Sequence, residues 1–194
     1  PYLQSERFHN VLWDAKSFGD WQGSLEGCDI VINLCGRSVN CRYNTKNKQE
    51  IYDSRSKTTT LIGEAIKVLK KKPSLWFNAA TATIYREEEE QKMNEIDGII
   101  GQGFSVDVAQ KWEDSFFQFK DPEIRQIALR SSIILANGGD FIDITKKLAG
   151  FGLAGTQGSG EQYISWLHIH DFCRAIDWMI EHQELKGPIN LVSP

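Results

Sequence analysis

The sequence DIVINLCG, residues 29–36, decides the fold. Its apolar side chains continue without the polar alternation of a half-exposed strand, which is typical of a strand that helices cover on both faces of a parallel sheet. The run ends at a small residue and a glycine, Cys35 and Gly36. Glycine at the carboxyl end of such a strand lets a ligand approach the backbone, although the same residue also suits a plain turn.

The sequence on either side of this strand alternates short apolar runs with helical periodicity. The apolar runs predict further strands at residues 10–13, 75–79 and 126–135. Helices are predicted at residues 47–70, 104–117, 141–148 and 169–182. Strands that alternate with helices imply parallel crossovers, so the sequence predicts an α/β fold with a doubly wound, Rossmann-like parallel sheet.

Two of the predicted helices carry a clear apolar stripe. The stripe of the first consists of Thr58, Ile62, Ala65, Ile66 and Leu69. The stripe of the second consists of Phe104, Val108, Trp112 and Phe116. Such stripes face the core of a protein. The tryptophans are expected to pack in the core or in a substrate lobe as well, and these are Trp76, Trp112, Trp166 and Trp178.

Composition and charge indicate an ordinary globular protein. The chain has 194 residues, of which 41% are hydrophobic and 25% charged, and a net charge of −4. We interpret residues 1–194 as one nucleotide-binding domain in which residues 150–168 contribute to a substrate-side lobe. The acidic balance argues against nucleic acid and anionic membranes as partners. No apolar run approaches the about 20 residues of a membrane-spanning helix, and no signal peptide opens the chain, so we expect a cytoplasmic protein with reduced thiols.

A second polar stretch, NAATATIY at residues 78–85, follows the predicted strand at residues 75–79. It places an amide and several hydroxyl groups just beyond a strand end. Such a hydroxyl can hydrogen-bond a substrate oxygen at the reacting carbon. Threonine is also common where strands turn, so the stretch by itself leaves both interpretations open.

These two stretches, separated by the long helix, resemble the extended short-chain dehydrogenase/reductases, also called the NAD-dependent epimerase/dehydratase family. Downstream, ALRSSIILANGGD (128–140), GSGEQYISWLHIHD (158–171) and GPINLVSP (187–194) are similar to the epimerase-like branch of unknown substrate. The segments KQEIYDSRSKTT (48–59) and GFSVDVAQKWE (103–113) extend the resemblance to nearly the whole chain.

The resemblance implies a site for NADP or NAD and a small-molecule substrate. It assigns cofactor contacts to Leu34, Cys35, Gly36, Arg55, Ala79, Ala80, Arg130, Ser131 and Ser132. It assigns substrate contacts to Gln162, Trp166 and His168. Thr81 matches the catalytic serine or threonine position of the family, and Tyr85 is the candidate proton donor.

The chain departs from the family where the proton is normally handled. The family uses a tyrosine and, one helical turn later, a lysine; the matching positions here hold Phe104 and Val108, which cannot move a proton. Two functions therefore stay open. One is an NAD(P)-dependent oxidoreductase or nucleotide-sugar epimerase-like enzyme acting on a small polar substrate. The other is a catalytically silent dinucleotide-binding sensor or scaffold.

The glycine-rich turn that opens the family is a second departure. That turn holds the pyrophosphate at a helix N-terminus, and no GxxGxxG motif occurs in this sequence. We expect that the N-terminal βαβ unit lies outside the sequence and that the C-terminal lobe is incomplete. Whether the protein forms a homodimer stays open. We expect that His168, His170 and Asp171 do not form a metal site and that Asp171 caps a helix.

Overall fold

The structure, a computed structural model, describes residues 8–88, 91–153, 155–156, 158–160 and 163–193. The strands are β1 (Ile30–Asn33), β2 (Leu75–Thr81), β3 (Arg125–Ser131), β4 (Ile133–Leu135), β5 (Trp166–His168) and β6 (Gly187–Leu191). The helices are α1 (Thr45–Lys67), α2 (Phe104–Phe117), α3 (Asp140–Gly150) and α4 (Ile169–Glu181). Two short 3₁₀ helices span Asp20–Leu25 and Ala82–Ile84.

The strands form two sheets. One has the order β1-β2-β3-β6, and the other pairs β4 with β5. β1 and β2 are parallel and in register, with Asn33 opposite Asn78, so both strands end at the same edge. β4 and β5 are parallel as well. The predicted α/β fold with parallel strands is therefore confirmed.

The backbone divides into two compact units. The first unit comprises Pro1–Ala79 and Gln110–Ala128, and the second comprises Ala80–Ala109 and Leu129–Pro194. The boundary falls within β2, α2 and β3, so each of these elements supplies residues to both units. The two units are described separately below.

The first unit is built around one face of α1. The helix begins at Thr45 because the side chain of Asn44 accepts a hydrogen bond from the backbone N–H of Asn47, which caps its first turn. Most of the predicted stripe is buried, and the buried members are Thr58, Ile62, Ala65 and Ile66. Between them Gly63 allows the ring of Phe119 to lie directly against the helix backbone.

The second unit contains the parallel pair β4 and β5, followed by α4. Leu167 of β5, Met179 of α4 and Leu191 of β6 are buried. The helix α4 is capped by His168, whose side chain accepts a hydrogen bond from the N–H of His170. The predicted capping role of Asp171 is therefore wrong. Asp171 lies within the first turn, where its negative charge suits the positive end of the helix dipole.

Two strand predictions are wrong because apolar sequence does not by itself supply a pairing partner. Residues 10–13 form no strand, and Leu12 is 93% exposed. The run at residues 126–135 is two strands in two different sheets. It breaks at Ser132: the backbone N–H and hydroxyl of Ser132 still donate to the carbonyl of Leu191 in β6, whereas the N–H of the next residue, Ile133, donates to the carbonyl of Ser165 just before β5.

The tryptophan prediction holds for two positions and fails for two. Trp76 and Trp112 are buried, with Trp76 edge-on to Phe116 at 4.7 Å between ring centroids. Trp166 and Trp178 are exposed. Trp178 instead stacks on His182 along the surface of α4, at 4.0 Å between ring centroids. In the part of the chain that the structure describes, no helix combines the length and apolar character needed to cross a membrane.

Replacing Gly63 by alanine should destabilise the first unit. The added Cβ would lie 2.4 Å from two ring atoms of Phe119. Overpacking of a core costs about 1–3 kcal/mol, so we expect a lower free energy of unfolding despite the better helix propensity of alanine. Chemical denaturation measures the change. The control is Gly23→Ala, whose Cβ would meet nothing within 4 Å; an equal effect of both substitutions would contradict the packing argument.

Candidate functional site

The carboxyl end of β1 leaves the sheet through an exposed turn. Leu34 is 60% exposed and Cys35 is half-buried. The N–H of Cys35 donates to Oδ1 of Asn33 at 3.0 Å, which fixes the direction of the turn. Burial raises the pKa of the Cys35 thiol, so the group stays protonated and poorly nucleophilic at neutral pH. Gly36 follows in an exposed position.

The guanidinium of Arg55 lies against Gly36. A Cβ on that glycine would be 3.5 Å from both Cζ and Nη2 of Arg55, so the absence of a side chain leaves this space open beside the cation. Nη1 of Arg55 donates to the carbonyls of Arg37 and Ile51, each at 3.2 Å. Within the described residues, Nε and Nη2 have no hydrogen-bond partner. Burial lowers the pKa of Arg55 from its ordinary value, which reflects partial loss of water around a charge that still persists at neutral pH.

Two further contacts distinguish Arg55 from its neighbour Arg37. The guanidinium of Arg55 lies 5.0 Å from the ring centroid of Trp112, which holds its plane in place. The guanidinium of Arg37, by contrast, is bound by side chains of the protein. It pairs with Glu50 and donates to Oδ1 of Asn47 at 3.1 Å. Arg55 is therefore the cation at this strand end that keeps donors for a ligand.

Buried polar groups fasten the ends of β1 and β2 to the helices. Asn33 donates from Nδ2 to Oδ1 of Asn78 at 2.7 Å and to Oγ1 of Thr59 at 3.1 Å. Thr59 donates in turn to Oδ1 of Asn78 at 3.2 Å and accepts from Nε1 of Trp112 at 3.1 Å. Asn78 donates to the carbonyl of Ala79 at 2.8 Å. We call Asn33, Thr59, Asn78 and Trp112 the amide cluster.

In the second unit, the segment after β2 fixes the hydroxyl of Thr81. This hydroxyl lies 2.9 Å from Oγ1 of Thr83 and accepts the N–H of Thr83 at 3.2 Å, which caps the 3₁₀ helix Ala82–Ile84. The end of β3 lies beside it, because the hydroxyl of Ser131 donates to the carbonyl of Ala80 at 3.3 Å. Ala80, Thr81 and Ser131 therefore lie close together, and Ser132 follows Ser131 in the chain.

Tyr85 lies in the same unit and contacts another predicted site residue. Its hydroxyl accepts a hydrogen bond from Nη1 of Arg130 at 2.7 Å and donates to Oδ1 of Asn190 at 2.9 Å. The guanidinium of Arg130 also lies 5.2 Å from the ring centroid of Tyr85. Arg130 is only 7% exposed, and Tyr85 is one of the neighbours that hold it.

Two of the three predicted substrate residues, Trp166 and His168, lie on β5. Trp166 is 43% exposed, and His168 is exposed as the cap of α4. Gln162 lies outside the described residues. The rings of His168 and His170 meet edge-on at 4.9 Å. No group of three or more histidine, cysteine, aspartate or glutamate side chains in the described ranges is arranged to hold a metal ion.

Several residues of the site went unnoticed in the sequence. The amide cluster includes Asn33 and Thr59, and the bond of Tyr85 involves Asn190. The sequence holds a signal for Asn33 and Asn78, because each interrupts an otherwise apolar strand one position from its predicted end. Asn190 offers no such signal, since its partner Tyr85 lies 105 residues away.

Known proteins with similar sequences carry the name epimerase family protein. One from Staphylococcus aureus strain MRSA252 is 32% identical over 191 residues, covering 98% of this chain and 63% of the relative. Another, from Staphylococcus saprophyticus, is 32% identical over 175 residues, covering 90% of this chain and 59% of the relative. The chain thus spans less than two thirds of the length of these relatives. No family model matches the chain.

Solved structures show the same fold. The human epimerase family protein (isoform 2), determined with NADPH, is 28% identical with a TM-score of 0.80, covering 88% of this chain and 58% of that protein. A nucleoside-diphosphate sugar epimerase from Corynebacterium glutamicum is 23% identical with a TM-score of 0.79, covering 94% of this chain and 38% of that protein. At this identity, the similarity to the second structure shows only that the fold is shared.

Thr59→Val should weaken the first unit by disrupting the amide cluster. Valine matches the shape of threonine but leaves the indole N–H of Trp112 and one amide hydrogen of Asn33 without an acceptor. A buried polar group left unsatisfied costs about 1–3 kcal/mol, so we expect a loss of that order in the free energy of unfolding.

The matched control is Thr60→Val, one position further on the same helix, where the only hydrogen bond shown is an exposed one of 3.4 Å from Gln118. Urea denaturation of both variants measures the difference. Equal stability of the two would mean that the cluster does not carry the strand ends.

Proposed function

We propose that this chain, which is similar to the epimerase family proteins and resembles the extended short-chain dehydrogenase/reductases, binds NADP or NAD and acts on a small polar substrate. The reaction is an oxidation and reduction of the substrate, either as the net change or within an epimerisation. The human relative solved with NADPH supports the choice of cofactor.

The observation that carries the proposal is the guanidinium of Arg55 beside Gly36. Its Nε and Nη2 have no partner among the described residues, and its side chain is held by Trp112 and by two carbonyls. A preorganised, partly desolvated guanidinium is suited to the phosphate groups of a dinucleotide, which accept charge-assisted hydrogen bonds in pairs. Gly36 leaves room for such a ligand to approach the backbone.

The other proposed cofactor contacts belong to strand ends of each unit. In the first unit they are Leu34, Cys35, Gly36 and Ala79. In the second unit they are Ala80, Arg130, Ser131 and Ser132. Apart from Leu34, these are small or hydrogen-bonding residues at or just beyond the carboxyl ends of β1, β2 and β3, the ends at which ligands bind in open α/β sheets.

The nicotinamide of the bound cofactor would supply or accept the hydride. Thr81 would bind the reacting oxygen of the substrate through its hydroxyl, which is already oriented by Thr83. Tyr85 would donate the proton to that oxygen. Its proton is held by Asn190 in the structure, so the substrate oxygen has to replace Oδ1 of Asn190 as the acceptor. Trp166, His168 and Gln162 are the proposed substrate contacts.

A second candidate function is a dinucleotide-binding sensor or scaffold without catalysis. The residues at the family's usual proton-handling positions favour it: Phe104 is half-buried and Val108 is buried, and both are apolar. Binding of NADPH without turnover of any carbonyl or sugar-nucleotide substrate would select this function. A cytoplasmic location and a homodimer also stay proposals; the free thiols of all four cysteines suit a reducing compartment.

Arg55→Met should weaken NADPH binding by the full-length protein. Hydrogen bonds to charged groups contribute about 1.5–3 kcal/mol, so we expect a rise in Kd of roughly 10–100-fold. Titration of the nicotinamide fluorescence measures it. The control is Lys57→Met, which removes the same charge from the same helix at an exposed side chain paired with Asp53; equal weakening by both variants would argue against a specific contact.

Thr81→Val should abolish turnover while leaving NADPH affinity unchanged. The substitution keeps the shape of the side chain but removes the hydroxyl proposed to bind the reacting oxygen, so we expect kcat to fall by about 10²-fold or more. The absorbance of the reduced nicotinamide, followed with carbonyl and sugar-nucleotide substrates, measures it. Thr145→Val, at an exposed position of α3 whose hydroxyl donates to the carbonyl of Phe141 on the same helix, serves as the control. Undiminished turnover in Thr81→Val would remove this residue from the mechanism.

A further inference from the structure

A chain of hydrogen bonds in the second unit joins four distant parts of the sequence. The backbone N–H of Asn190 donates to Oε1 of Glu95 at 2.6 Å. Its side-chain Oδ1 accepts the hydroxyl proton of Tyr85 at 2.9 Å, and the same hydroxyl oxygen accepts from Arg130 at 2.7 Å. Asn190 thus contacts the segment before α2 through its backbone and the end of β3 through Tyr85.

The phenol of Tyr85 has one proton and therefore one direction in which it can donate. With Asn190 as the acceptor, a lone pair of the oxygen is left for Nη1 of Arg130. The face of the Tyr85 ring also contacts this guanidinium, with Cζ of Arg130 5.2 Å from the ring centroid. A long arginine side chain loses considerable entropy when it is fixed, and a residue that fixes it before a ligand binds removes that cost from the binding step.

The segment at residues 94–101 packs on the other side of this tyrosine. The N–H of Arg86 donates to the carbonyl of Ile99 and that of Gly101 to the carbonyl of Ile84, both at 2.9 Å. A Cβ on Gly98 would lie 2.5 Å from the ring of Tyr85. The backbone of this segment therefore depends on where the Tyr85 ring lies.

We propose that Asn190 is a positioning residue of the cofactor site. It orients the hydroxyl of Tyr85, which in turn holds the guanidinium of Arg130 at the end of β3 and the segment at residues 94–101 against its ring. The inference rests on the proposed function in one respect, namely that Arg130 contacts the dinucleotide.

Two substitutions at position 190 separate positioning from simple packing. Asn190→Asp keeps an oxygen at the place of Oδ1, whereas Asn190→Val has a similar size and suits a strand but offers no acceptor. Both keep the backbone N–H that donates to Glu95. With the full-length protein we expect Asn190→Val to raise the Kd for NADPH about fivefold, as for the loss of one neutral hydrogen bond, and Asn190→Asp to stay close to the wild type.

Tyr85→Phe completes a double-mutant cycle. It should weaken NADPH binding in the same direction, and adding Asn190→Val to it should have no further effect, because the two residues act through one hydrogen bond. Additive effects would overturn the proposal. So would a wild-type Kd in Asn190→Val, or equal weakening by the Asp and Val variants.

Amide hydrogen exchange of the ligand-free protein tests the same idea without the cofactor. Asn190→Val should speed exchange at Arg86 and Gly101, and Asn190→Asp should not. The amide of Gly27, which is bonded to Lys71 in the first unit, is the internal control. Absence of NADPH binding by the wild type would contradict the proposed function and not this inference, which the exchange rates then decide; unchanged rates in Asn190→Val would overturn it.

Discussion

The structure depends on the in-register pairing of β1 and β2 and on the buried amide cluster that locks their ends. Two asparagines facing each other in an apolar sheet would each be costly, because an unpaired buried amide loses its hydrogen bonds to water. Thr59 and Trp112 complete the hydrogen bonding, so the cost is offset and the two strand ends acquire one geometry. The turn at Cys35 and the carbonyl of Ala79 are fixed by the same side chains. The first unit therefore holds the carboxyl ends of β1 and β2 by polar groups inside the core rather than by the loops themselves.

Much of the fold could be predicted from local pattern. The helix α2 begins and ends where its apolar periodicity does, and β1 and β2 follow apolar runs, because periodicity reflects burial directly. Residues 10–13 failed because an apolar run becomes a strand only where another backbone pairs with it. The run at residues 126–135 failed because its pairing partner changes after Ser132, from Leu191 in β6 to Ser165 before β5, and both partners are distant in sequence. Likewise β6 carries few signals of its own.

The candidate site divides in the same way. Arg55 and Thr81 could be found because the resemblance to a family assigns them positions, and Tyr85 because it is a nearby substitute for the tyrosine that the chain lacks. The contacts that position these side chains could not be predicted, because they join residues far apart in sequence. Arg55 and its aromatic partner Trp112 are 57 positions apart, and Tyr85 and its hydrogen-bond partner Asn190 are 105 positions apart. Phe104 and Val108 remain the strongest departure from ordinary hydride-transfer enzymes. The chemistry that we propose uses the hydroxyl groups of Thr81 and Tyr85, which are held by Thr83, Arg130 and Asn190.

The stacking of Arg55 on Trp112 has an optical consequence. A cation close to an indole shifts the energy of its excited state, and an anion that neutralises this cation would reverse the shift. Trp112 is buried and its N–H is bonded to Thr59, so solvent contributes little to its emission. The indole is therefore placed as an intrinsic reporter of whatever approaches the guanidinium, and the difference in emission between the wild type and Trp112→Phe separates its signal from the other five tryptophans.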